Sequence, residues 1–443
     1  MQIATLELSA DALTPISAYL ALAQPGASCL LESVESGGRI SRYSFIGIDY
    51  IETAQYDDDG ALLDNVRAFV AQFAPSQSRS AGFSGGALVA FAYDAARSFA
   101  GLPERERARP EMPAAYVAVP ATWLIFDHYT DRLTFWSMGD DLGQVERKLQ
   151  QYTERLLEVR TTFPGQVKAE AVRQSIDHAT YLGLLEEVKR KIFDGDVYQL
   201  QLGIRFDAEL RGAPFDIYRA LRSRNPSPYM FYVDTPFGQI LGASPEFLVR
   251  LEGRKARIRP LAGTRARGAD ASEDAAIATE LLSDAKERAE HVMLVDLGRN
   301  DLGAVCKVGS VQIGELMAIE RYSHVMHIVS DITGELEDQR DGLDLFAAGF
   351  PAGTVTGTPK IRAMQLIDEF EPVARGFYAG SVGRLDFDGT FDSCITLRSV
   401  HVNAGRACWQ ASAGIVADSN AQSEYDEILH KTRIIRDVLG VTA

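Results

Sequence analysis

The fold is decided by the stretch from residue 199 to residue 263, which contains QLQLGIRF (199–206), YMFYVD (229–234), QILGASPEFLVRLEG (239–253) and ARIRPLAG (256–263). These segments are rich in β-branched, aromatic and alternating apolar residues, as is typical of strands. Helical crossovers are largely missing between them, whereas parallel strands need a long crossover connection. The sequence therefore predicts an α+β fold built on mainly antiparallel β-sheet.

The composition indicates a large globular protein with an acidic surface. The chain has 443 residues, 46% of them hydrophobic, and a formal net charge of −16. The electrostatic field of a negatively charged protein repels nucleic acid and anionic membranes, so neither is an expected partner. The first residues lack a basic segment followed by an apolar one, and no apolar run reaches the length of about 18 residues that a membrane span needs. These features predict a soluble cytoplasmic protein.

Two predicted helices carry acidic pairs on rows that also carry apolar side chains. In the helix predicted for 284–297, Glu287 and Glu290 share a row with leucines. In the last helix, Glu424 and Glu427 share a row with isoleucines. A single pair of this kind is usually a solvated surface feature. If the two helices face each other, four carboxylates converge, which is tolerable only around a hard cation such as Mg²⁺.

A glycine-rich run, FPAGTVTGTPKIRAM (350–364), precedes a helix that is predicted to begin near Pro359. Gly353, Thr354 and Gly357 could offer N–H and hydroxyl donors to an anion there. The spacing differs from that of a nucleotide phosphate loop, and Pro359 removes a donor that such a loop needs. We expect a cradle for a carboxylate or another oxyanion, with a plain strand-to-helix turn as the alternative.

Two histidines and two cations complete the candidate set. His324 and His327 lie in a β-patterned stretch, where their spacing puts the rings on opposite faces and makes them a poor pair of metal ligands. Each is either a buried structural histidine or a general acid. Arg398 lies in an apolar strand, and Lys431 lies on the acidic row of the last helix. A small, multiply anionic substrate together with Mg²⁺ would account for all these features.

The order and number of motifs point to one family. The motifs are LLES, GDVYQ, NPSPYM, SPEFLV, RPLAGTRARG, ERAEHVMLVDLGRNDLG, RYSHVMHIVS, FPAGTVTGTPKIRAM, YAGSVG, CITLRS, SAGIVADS and EYDEILHK. Together they resemble the chorismate-utilising enzymes, and among them the anthranilate synthase component I family. The resemblance implies two packed, mainly antiparallel β-sheets with helices on the outside. It also implies an N-terminal region over residues 1–165, with a tryptophan-site motif, and a chorismate-binding catalytic domain over residues 175–437.

The resemblance further implies a cofactor and a set of site residues. Mg²⁺ would be bound by Glu290 and Glu427, with Glu287 and Glu424 in support. His327 would act as the general acid toward the C4 hydroxyl group of chorismate. The remaining residues implied to line the substrate pocket are Arg398, Lys431, Thr354, Tyr378 and Gly414.

Two positions separate the members of this family by the nucleophile they use. Members that add water have a lysine base where this chain has Gln199, and many aminodeoxychorismate synthases have a nucleophilic lysine where it has Ala262. Neither side chain can do that chemistry. With Gln199, Thr354 and His327 as the catalytic positions, the resemblance implies attack by ammonia, elimination of pyruvate and formation of anthranilate for tryptophan biosynthesis. The alternatives are aminodeoxychorismate synthase component I, aminodeoxyisochorismate synthase and a non-catalytic tryptophan-sensing relative.

Partners are predicted from the cysteines and from two motifs. None of the four cysteines lies in a glycine-flanked elbow, so the glutamine amidotransferase that supplies ammonia is expected to be a separate subunit, component II. LLES and NPSPYM resemble the two halves of a tryptophan inhibitor site, in which Glu32 would pair with the ligand's ammonium group and Tyr229 and Met230 would flank its indole. The residues of this implied inhibitor site are Leu31, Glu32, Ser33, Arg42, Pro228, Tyr229 and Met230.

Overall fold

The computed structural model describes residues 1–33, 42–57, 60–75, 83–102, 112–159, 162–322 and 325–441. The strands in these ranges are β1 (Gln2–Ser9), β2 (Ser28–Glu32), β3 (Tyr43–Tyr56), β4 (Gly86–Phe91), β5 (Ala115–Asp127), β6 (Arg132–Gly139), β7 (Lys168–Gln174), β8 (Gln199–Arg211), β9 (Tyr229–Thr235), β10 (Gly238–Ser244), β11 (Phe247–Glu252), β12 (Lys255–Ile258), β13 (Leu261–Ala266), β14 (Gln312–Ile313), β15 (Ala318–Arg321), β16 (Val325–Val329), β17 (Ile332–Glu335), β18 (Gly357–Thr358), β19 (Ser381–Asp386), β20 (Phe391–Ile395), β21 (Ser399–Asn403) and β22 (Arg406–Ile415).

The helices surround these strands. The α-helices of the described ranges are α1 (Pro15–Leu22), α2 (Leu62–Ala71), α3 (Arg97–Ala100), α4 (Leu142–Leu157), α5 (His178–Phe193), α6 (Pro214–Arg224), α7 (Ala271–Ser283), α8 (Ala285–Gly303), α9 (Gly342–Gly349), α10 (Lys360–Phe370) and α11 (Ala421–Val438). Short 3₁₀ helices lie at Tyr93–Ala96 and Gly353–Val355. The helix predicted for 284–297 corresponds to α8. Asp284 is its N-cap residue, and the carboxylate of Asp284 accepts from the amides of Lys286 and Glu287.

Antiparallel pairing connects nearly all the strands. A network of 19 strands is held together by backbone hydrogen bonds, and β13, β15 and β16 form a separate three-stranded sheet. Every strand pair in the described part of the chain is antiparallel. This confirms the predicted α+β fold with mainly antiparallel β-sheets and helices outside them.

Two of the segments that define the fold are each interrupted by a proline. The segment 239–253 forms β10 and β11 with a break at Pro245, and the segment 256–263 forms β12 and β13 with a break at Pro260. Proline has no N–H group to donate within a sheet and restricts its neighbour, so a strand ends or bends there. The second break allows β13 to leave the large network and pair with β16.

The N-terminal part of the chain is hydrogen-bonded into the same network as the later part. β2 pairs with β9, and β4 pairs with β19. Side chains add to this connection, because the buried carboxylate of Glu32 in β2 accepts two hydrogen bonds from Arg222 of α6, at 2.9 and 3.0 Å, and one from the hydroxyl group of Tyr218. The division of the chain into regions 1–165 and 175–437 stays a prediction.

The buried apolar residues form three clusters. Two large clusters contain buried side chains of both the sheet network and the helices. The third is small: Ala278 and Leu281 of α7 pack on Met326 and Ile328 of β16. None of the described helices is both long enough and apolar enough to span a membrane.

The contact between Glu32 and Arg222 gives a stability prediction. Arg222→Met leaves a carboxylate whose side chain is 0% exposed without its cation. We expect the free energy of unfolding to fall by about 3 kcal/mol, which is the lower end of the range for a broken buried pair, because the arginine is partly exposed. Urea denaturation measures this change.

The matched control is Arg224→Met, an exposed arginine at the end of the same helix. Its cost should stay within about 0.5 kcal/mol, as for most surface substitutions. Equal losses in the two variants would contradict the structural role of the pair.

Candidate active site

The four acidic residues predicted for a metal site lie close together. Burial raises the pKa of Glu290 in α8, and the charges of Glu287, Glu424 and Glu427 raise it further, while Lys286 opposes them. Burial and the charge of Glu427 likewise raise the pKa of Glu424. Like charges act on one another in this way only at short range in a screened medium. The acidic rows of α8 and α11 therefore lie within electrostatic range of each other.

Three of these carboxylates have a polar or cationic partner within hydrogen-bonding distance. Glu287 accepts from Arg265 at 2.9 Å. Glu427 pairs with Lys431 at 2.6 Å. Glu424 accepts from a serine hydroxyl at 2.7 Å. All donor atoms that the four acids offer are oxygens, which suits Mg²⁺. Within the described ranges, no three His, Cys, Asp or Glu residues are already grouped to hold a metal ion.

His327 is buried on β16 and is held through one ring nitrogen. Its Nδ1 lies 2.9 Å from the hydroxyl oxygen of Thr264 and 3.2 Å from the carbonyl oxygen of Gly263. Burial, followed by the positive charge of Arg398, lowers the pKa of His327 to about 4. The imidazole is therefore neutral near pH 7, and a carbonyl that can only accept assigns its proton to Nδ1. The other histidine of the pair, His324, lies outside the described residues.

Strand β13, which carries the hydrogen-bond partners of His327, also contacts the acidic helix α8. Gly263 has φ +62°, and a Cβ atom there would lie 3.2 Å from Oε2 of Glu287 and 3.2 Å from Ile328 and Leu281. The glycine therefore provides both the left-handed backbone conformation and the close approach. The site histidine and the acidic cluster are neighbours for this reason.

Arg398 is a cation that is largely withdrawn from water. It has φ +46°, and burial lowers the pKa of its guanidinium group. Across the described ranges, its side chain makes no ion pair and no hydrogen bond. Its charge acts on His327, so the two side chains are close. A buried guanidinium without an anion is a suitable partner for a substrate carboxylate.

A chain of hydrogen bonds connects β8, β22 and α11. The hydroxyl group of Tyr378 donates to that of Ser412 at 2.8 Å, and Ser412 donates to Oε1 of Gln201 at 2.7 Å. The ammonium group of Lys431 donates to the carbonyl oxygen of Ser412 at 2.8 Å. Lys431 thus joins this chain to the acidic cluster through its pair with Glu427.

The predicted positions Gln199 and Gly414 lie beside each other. A Cβ atom at Gly414 would lie 2.8 Å from Nε2 of Gln199 and 2.9 Å from Nε2 of Gln201. A side chain at position 414 would therefore displace both amides. The structure thus brings together Gln199, Gly414, Tyr378 and Lys431.

The glycine-rich run is closely packed. A side chain at Gly353 would collide with Leu297 of α8, and one at Gly357 would collide with the backbone of Gln199. Helix α10 begins at Lys360, whose ammonium group pairs with Asp301 at 2.9 Å. These glycines are thus required for close approach, and the anion cradle stays a prediction.

One acid of the site was missed by sequence reasoning. Glu246 lies in the break between β10 and β11, and burial raises its pKa to about 8. The hydroxyl group of Thr354 donates to its carboxyl oxygens at 3.3 Å. The carboxyl group therefore carries a proton at pH 7. The signal available in the sequence was a lone acid inside an otherwise apolar motif, SPEFLV.

All the residues of the implied inhibitor site line one cavity of about 730 Å³. They are Leu31, Glu32, Ser33, Arg42, Pro228, Tyr229 and Met230.

The polar groups of this cavity are largely paired with one another. Arg42 pairs with Asp127 at 2.8 Å, and the hydroxyl group of Tyr229 donates to Asp392 at 2.8 Å. The carboxylate of Glu32 is fully enclosed by its bonds to Arg222 and Tyr218. The cation next to this carboxylate is Arg222 of the chain itself. The pairing of Glu32 with a ligand's ammonium group stays a prediction.

The chain was compared with known proteins. It matches the chorismate binding enzyme family over residues 26–437. It is 38% identical to anthranilate synthase component 1 of Acetivibrio thermocellus, over 96% of this chain and 93% of that protein. It is 40% identical to aminodeoxychorismate synthase component 1 of Bacillus subtilis (strain 168), over 93% of this chain and 92% of that protein. The crystal structure of anthranilate synthase component I from Streptococcus pneumoniae TIGR4 superposes with a TM-score of 0.81 at 33% identity, covering 98% of this chain and 99% of that one.

The fold and the matched residues define an enzyme of the chorismate-utilising class. The chain belongs to the chorismate binding enzyme family. The family that the sequence motifs indicated is therefore confirmed, and so is the prediction that the chain is a chorismate-utilising enzyme.

The pKa of Glu246 predicts how stability depends on pH. Its folded-state pKa is about 8, against an ordinary value of 4.5. Between these values the folded chain holds a proton that the unfolded chain has lost, so the free energy of unfolding falls as pH rises through this window. Glu246→Gln removes this dependence. Relative to the unmodified chain, the variant should gain stability with rising pH by up to about 1.4 kcal/mol per pH unit.

Urea denaturation at about pH 5 and about pH 8 tests this prediction. Glu209→Gln, at an exposed carboxylate on β8, is the matched control. A stability difference between Glu246→Gln and the unmodified chain that is independent of pH would show that Glu246 is already ionised when buried.

Proposed function

We propose that the protein converts chorismate and ammonia into anthranilate, pyruvate and water, as the ammonia-using component of an anthranilate synthase. The observation that carries the proposal is the composition of the site. Arg398, His327 and Glu246 provide a cation and two proton carriers, while Gln199 and Ala262 occupy the positions where relatives that use other nucleophiles have lysines. Attack by water would need a basic side chain, and the covalent route would need a nucleophilic lysine. Attack by ammonia needs neither from this chain.

The substrate would be held by charges that the described residues leave available. Chorismate carries two carboxylates, and Arg398 is suited to one of them because burial strengthens its attraction. Lys431, Tyr378, Gly414 and Thr354 would line the rest of the pocket, which is consistent with the hydrogen-bond chain through β22. The second carboxylate would lie toward the acidic cluster, where it requires a metal ion.

The acidic cluster suits Mg²⁺, because its donors are all oxygens and its carboxylates repel one another. Glu290 and Glu427 would hold the ion, and Glu287 and Glu424 would support them. When bound, Mg²⁺ would neutralise this charge and attract a substrate carboxylate.

The first reaction step needs a proton for the departing C4 hydroxyl group as ammonia bonds to C2. The sequence assigned this proton to His327. With a pKa of about 4, His327 can donate it only after the anionic substrate has raised that pKa. Glu246, with a pKa of about 8, already carries a proton at pH 7. We therefore assign the donation of this proton to His327 once the anionic substrate is bound. Glu246, which accepts hydrogen bonds from Thr354, provides a second protonated group in the site.

The second step completes the reaction. Loss of the proton on C2 and cleavage of the C3–O bond make the ring aromatic, and the enolpyruvyl group leaves and takes up a proton to become pyruvate. Relatives include an aminodeoxychorismate synthase component 1 at 40% identity. Formation of aminodeoxychorismate is therefore the second candidate function, and the identity of the product distinguishes the two.

Ammonia would come from a separate glutamine amidotransferase subunit. Burial raises the pKa of Cys29 to about 12 and that of Cys306 to about 11, and it also raises the pKa values of Cys394 and Cys408. A glutaminase nucleophile requires a thiolate at neutral pH. All four cysteines of the chain are described by the structure, and these four thiols are unsuited to that role.

The test is to incubate the purified chain with chorismate, Mg²⁺ and either an ammonium salt or glutamine. We expect anthranilate, identified by fluorescence and mass, from ammonium only. Aminodeoxychorismate, aminodeoxyisochorismate or isochorismate as the final product would contradict the proposed reaction. Glutamine-dependent turnover by the chain alone would contradict the separate subunit. Absence of turnover combined with tryptophan binding would favour the sensing alternative.

The metal proposal gives a prediction for Glu290→Gln and Glu427→Gln. Each variant loses a charged oxygen ligand, so the Mg²⁺ concentration for half-maximal activity should rise by about 10-fold or more. The stabilisation of the fold by Mg²⁺, measured as a shift in Tm, should shrink in parallel.

Asp296→Asn is the control for the metal prediction, because this aspartate lies on α8 but is 67% exposed and pairs with Arg299. Its Mg²⁺ dependence should match that of the unmodified chain. Unchanged Mg²⁺ dependence of both glutamine variants would exclude these two acids as ligands.

We also propose that the cavity of about 730 Å³ binds tryptophan as a feedback inhibitor. It lies between the N-terminal region, proposed as residues 1–165, and strands of the catalytic domain, proposed as residues 175–437. Tryptophan should raise the apparent KM for chorismate, through a coupling of about 1–3 kcal/mol. Ser33→Phe should fill the cavity and abolish this inhibition while preserving ammonia-dependent activity.

Leucine and phenylalanine at equal concentrations are the ligand controls for the inhibitor proposal. If tryptophan alters neither the activity nor the Tm of the unmodified chain, the inhibitor assignment is wrong. If Ser33→Phe stays fully inhibited, tryptophan acts from another site.

A further inference from the structure

A fully buried ion pair lies behind the proposed site. Glu371 directly follows α10, and Arg375 is four residues further along the chain. Their side chains are 3% and 1% exposed. The guanidinium donates Nη2 to Oε1 at 2.7 Å and Nε to Oε2 at 3.0 Å, which is a bidentate contact. Such a pair costs considerable desolvation, and apolar residues of similar volume often stabilise a fold equally well.

The remaining donors of Arg375 hold two segments of the site by their backbone. Nη1 donates to the carbonyl oxygen of Val355 at 2.6 Å, and Nη2 donates to that of Gln201 at 3.0 Å. Val355 follows Thr354, and Gln201 lies two residues beyond Gln199. One guanidinium therefore fixes the distance between two predicted catalytic positions.

Glu371 extends the same arrangement to the centre of β8. Its Oε1 accepts from the amide of Gly203 at 2.8 Å, and its Oε2 accepts from Nε2 of Gln410 in β22 at 3.4 Å. A Cβ atom at Gly203 would lie 2.9 Å from Oε1 of Glu371, so this glycine leaves the space that the carboxylate needs.

The guanidinium group also contacts two tyrosine rings. Its Cζ is 4.7 Å from the ring centroid of Tyr93 and 5.7 Å from that of Tyr378. Tyr378 in turn donates to Ser412, whose carbonyl oxygen accepts from Lys431. Arg375 thus contacts three separate segments that carry predicted site residues.

We propose that Arg375, oriented by Glu371, is a positioning residue that sets the relative placement of Thr354, Gln199 and Tyr378 in the site. This inference rests on the proposed function. The planar fork of arginine supplies four hydrogen bonds in fixed directions, whereas lysine offers one compact ammonium group that cannot reproduce them. A displacement of about 1 Å in such groups is enough to lower a rate by about 10²-fold.

The test compares Arg375→Lys with Arg97→Lys. Arg97 is the matched control: its side chain is 9% exposed and pairs with Asp368 of α10, the helix that Glu371 directly follows. Both variants keep the charge. Chorismate consumption is measured with ammonium, and active concentration is corrected for the folded fraction. We expect Arg375→Lys to lower kcat by about 10-fold or more with a smaller change in KM, and Arg97→Lys to stay within about twofold.

A double variant keeps the test valid if Arg375→Lys folds poorly. Glu371→Leu combined with Arg375→Met removes both charges and retains volume, so it buries no unpaired charge, and its folded fraction is measured in the same way. It should show the same loss of kcat. It should also release more of the product of the first step, which carries the amino group on C2 and keeps its enolpyruvyl group, per anthranilate formed, because a misplaced site completes the second step less often. A merely structural pair would lower Tm and leave this ratio unchanged.

The proposal is overturned if either variant, once folded, keeps kcat within about twofold of the unmodified chain. Failure of the proposed function is a separate result. A different product from the unmodified chain rejects the anthranilate assignment, while the ratio of chorismate consumption rates between the variants still decides the role of Arg375.

Discussion

All ten residues of β22 pair with β8, and the geometry of the site depends on this antiparallel register. The pairing sets Gly414 opposite Gln201 and brings Ser412 within reach of its side chain. Helix α11 packs on β22, which places Lys431 over the carbonyl group of Ser412. Helix α10 packs on β8, and Glu371 at its end reaches the amide of Gly203. A shift of one residue would turn all these side chains to the other face of the sheet.

Burial shifts the pKa values of Glu246 and His327 in opposite directions and leaves both side chains uncharged. It raises the pKa of Glu246 to about 8 and lowers that of His327 to about 4. Desolvation disfavours whichever form is charged, so a carboxyl group keeps its proton and an imidazole loses one. Arg398 contributes to the low pKa of the histidine. An anionic substrate would offset that positive charge, so binding and proton transfer are electrostatically connected.

The cavity and the site share two neighbouring strands. β11 carries Arg250 into the cavity and begins directly after Glu246. β20 carries Cys394 into the cavity, and the amide of Ile395 donates to the carbonyl oxygen of Glu246 at 3.1 Å. A ligand in the cavity would therefore contact the strands that hold the buried acid, without any long intervening path.

The sequence by itself determined the type of sheet, the helices that bear the acidic rows and the family, because periodicity, caps and motif order are properties of neighbouring residues. The tertiary structure alone decided that Arg222 encloses Glu32, that Glu246 keeps its proton and that Arg375 joins separate segments. Hydrogen-bond partners and desolvation come from residues far apart along the chain, so no local pattern encodes them. The sequence could name Glu32 as a site residue, but its partner lies 190 residues away.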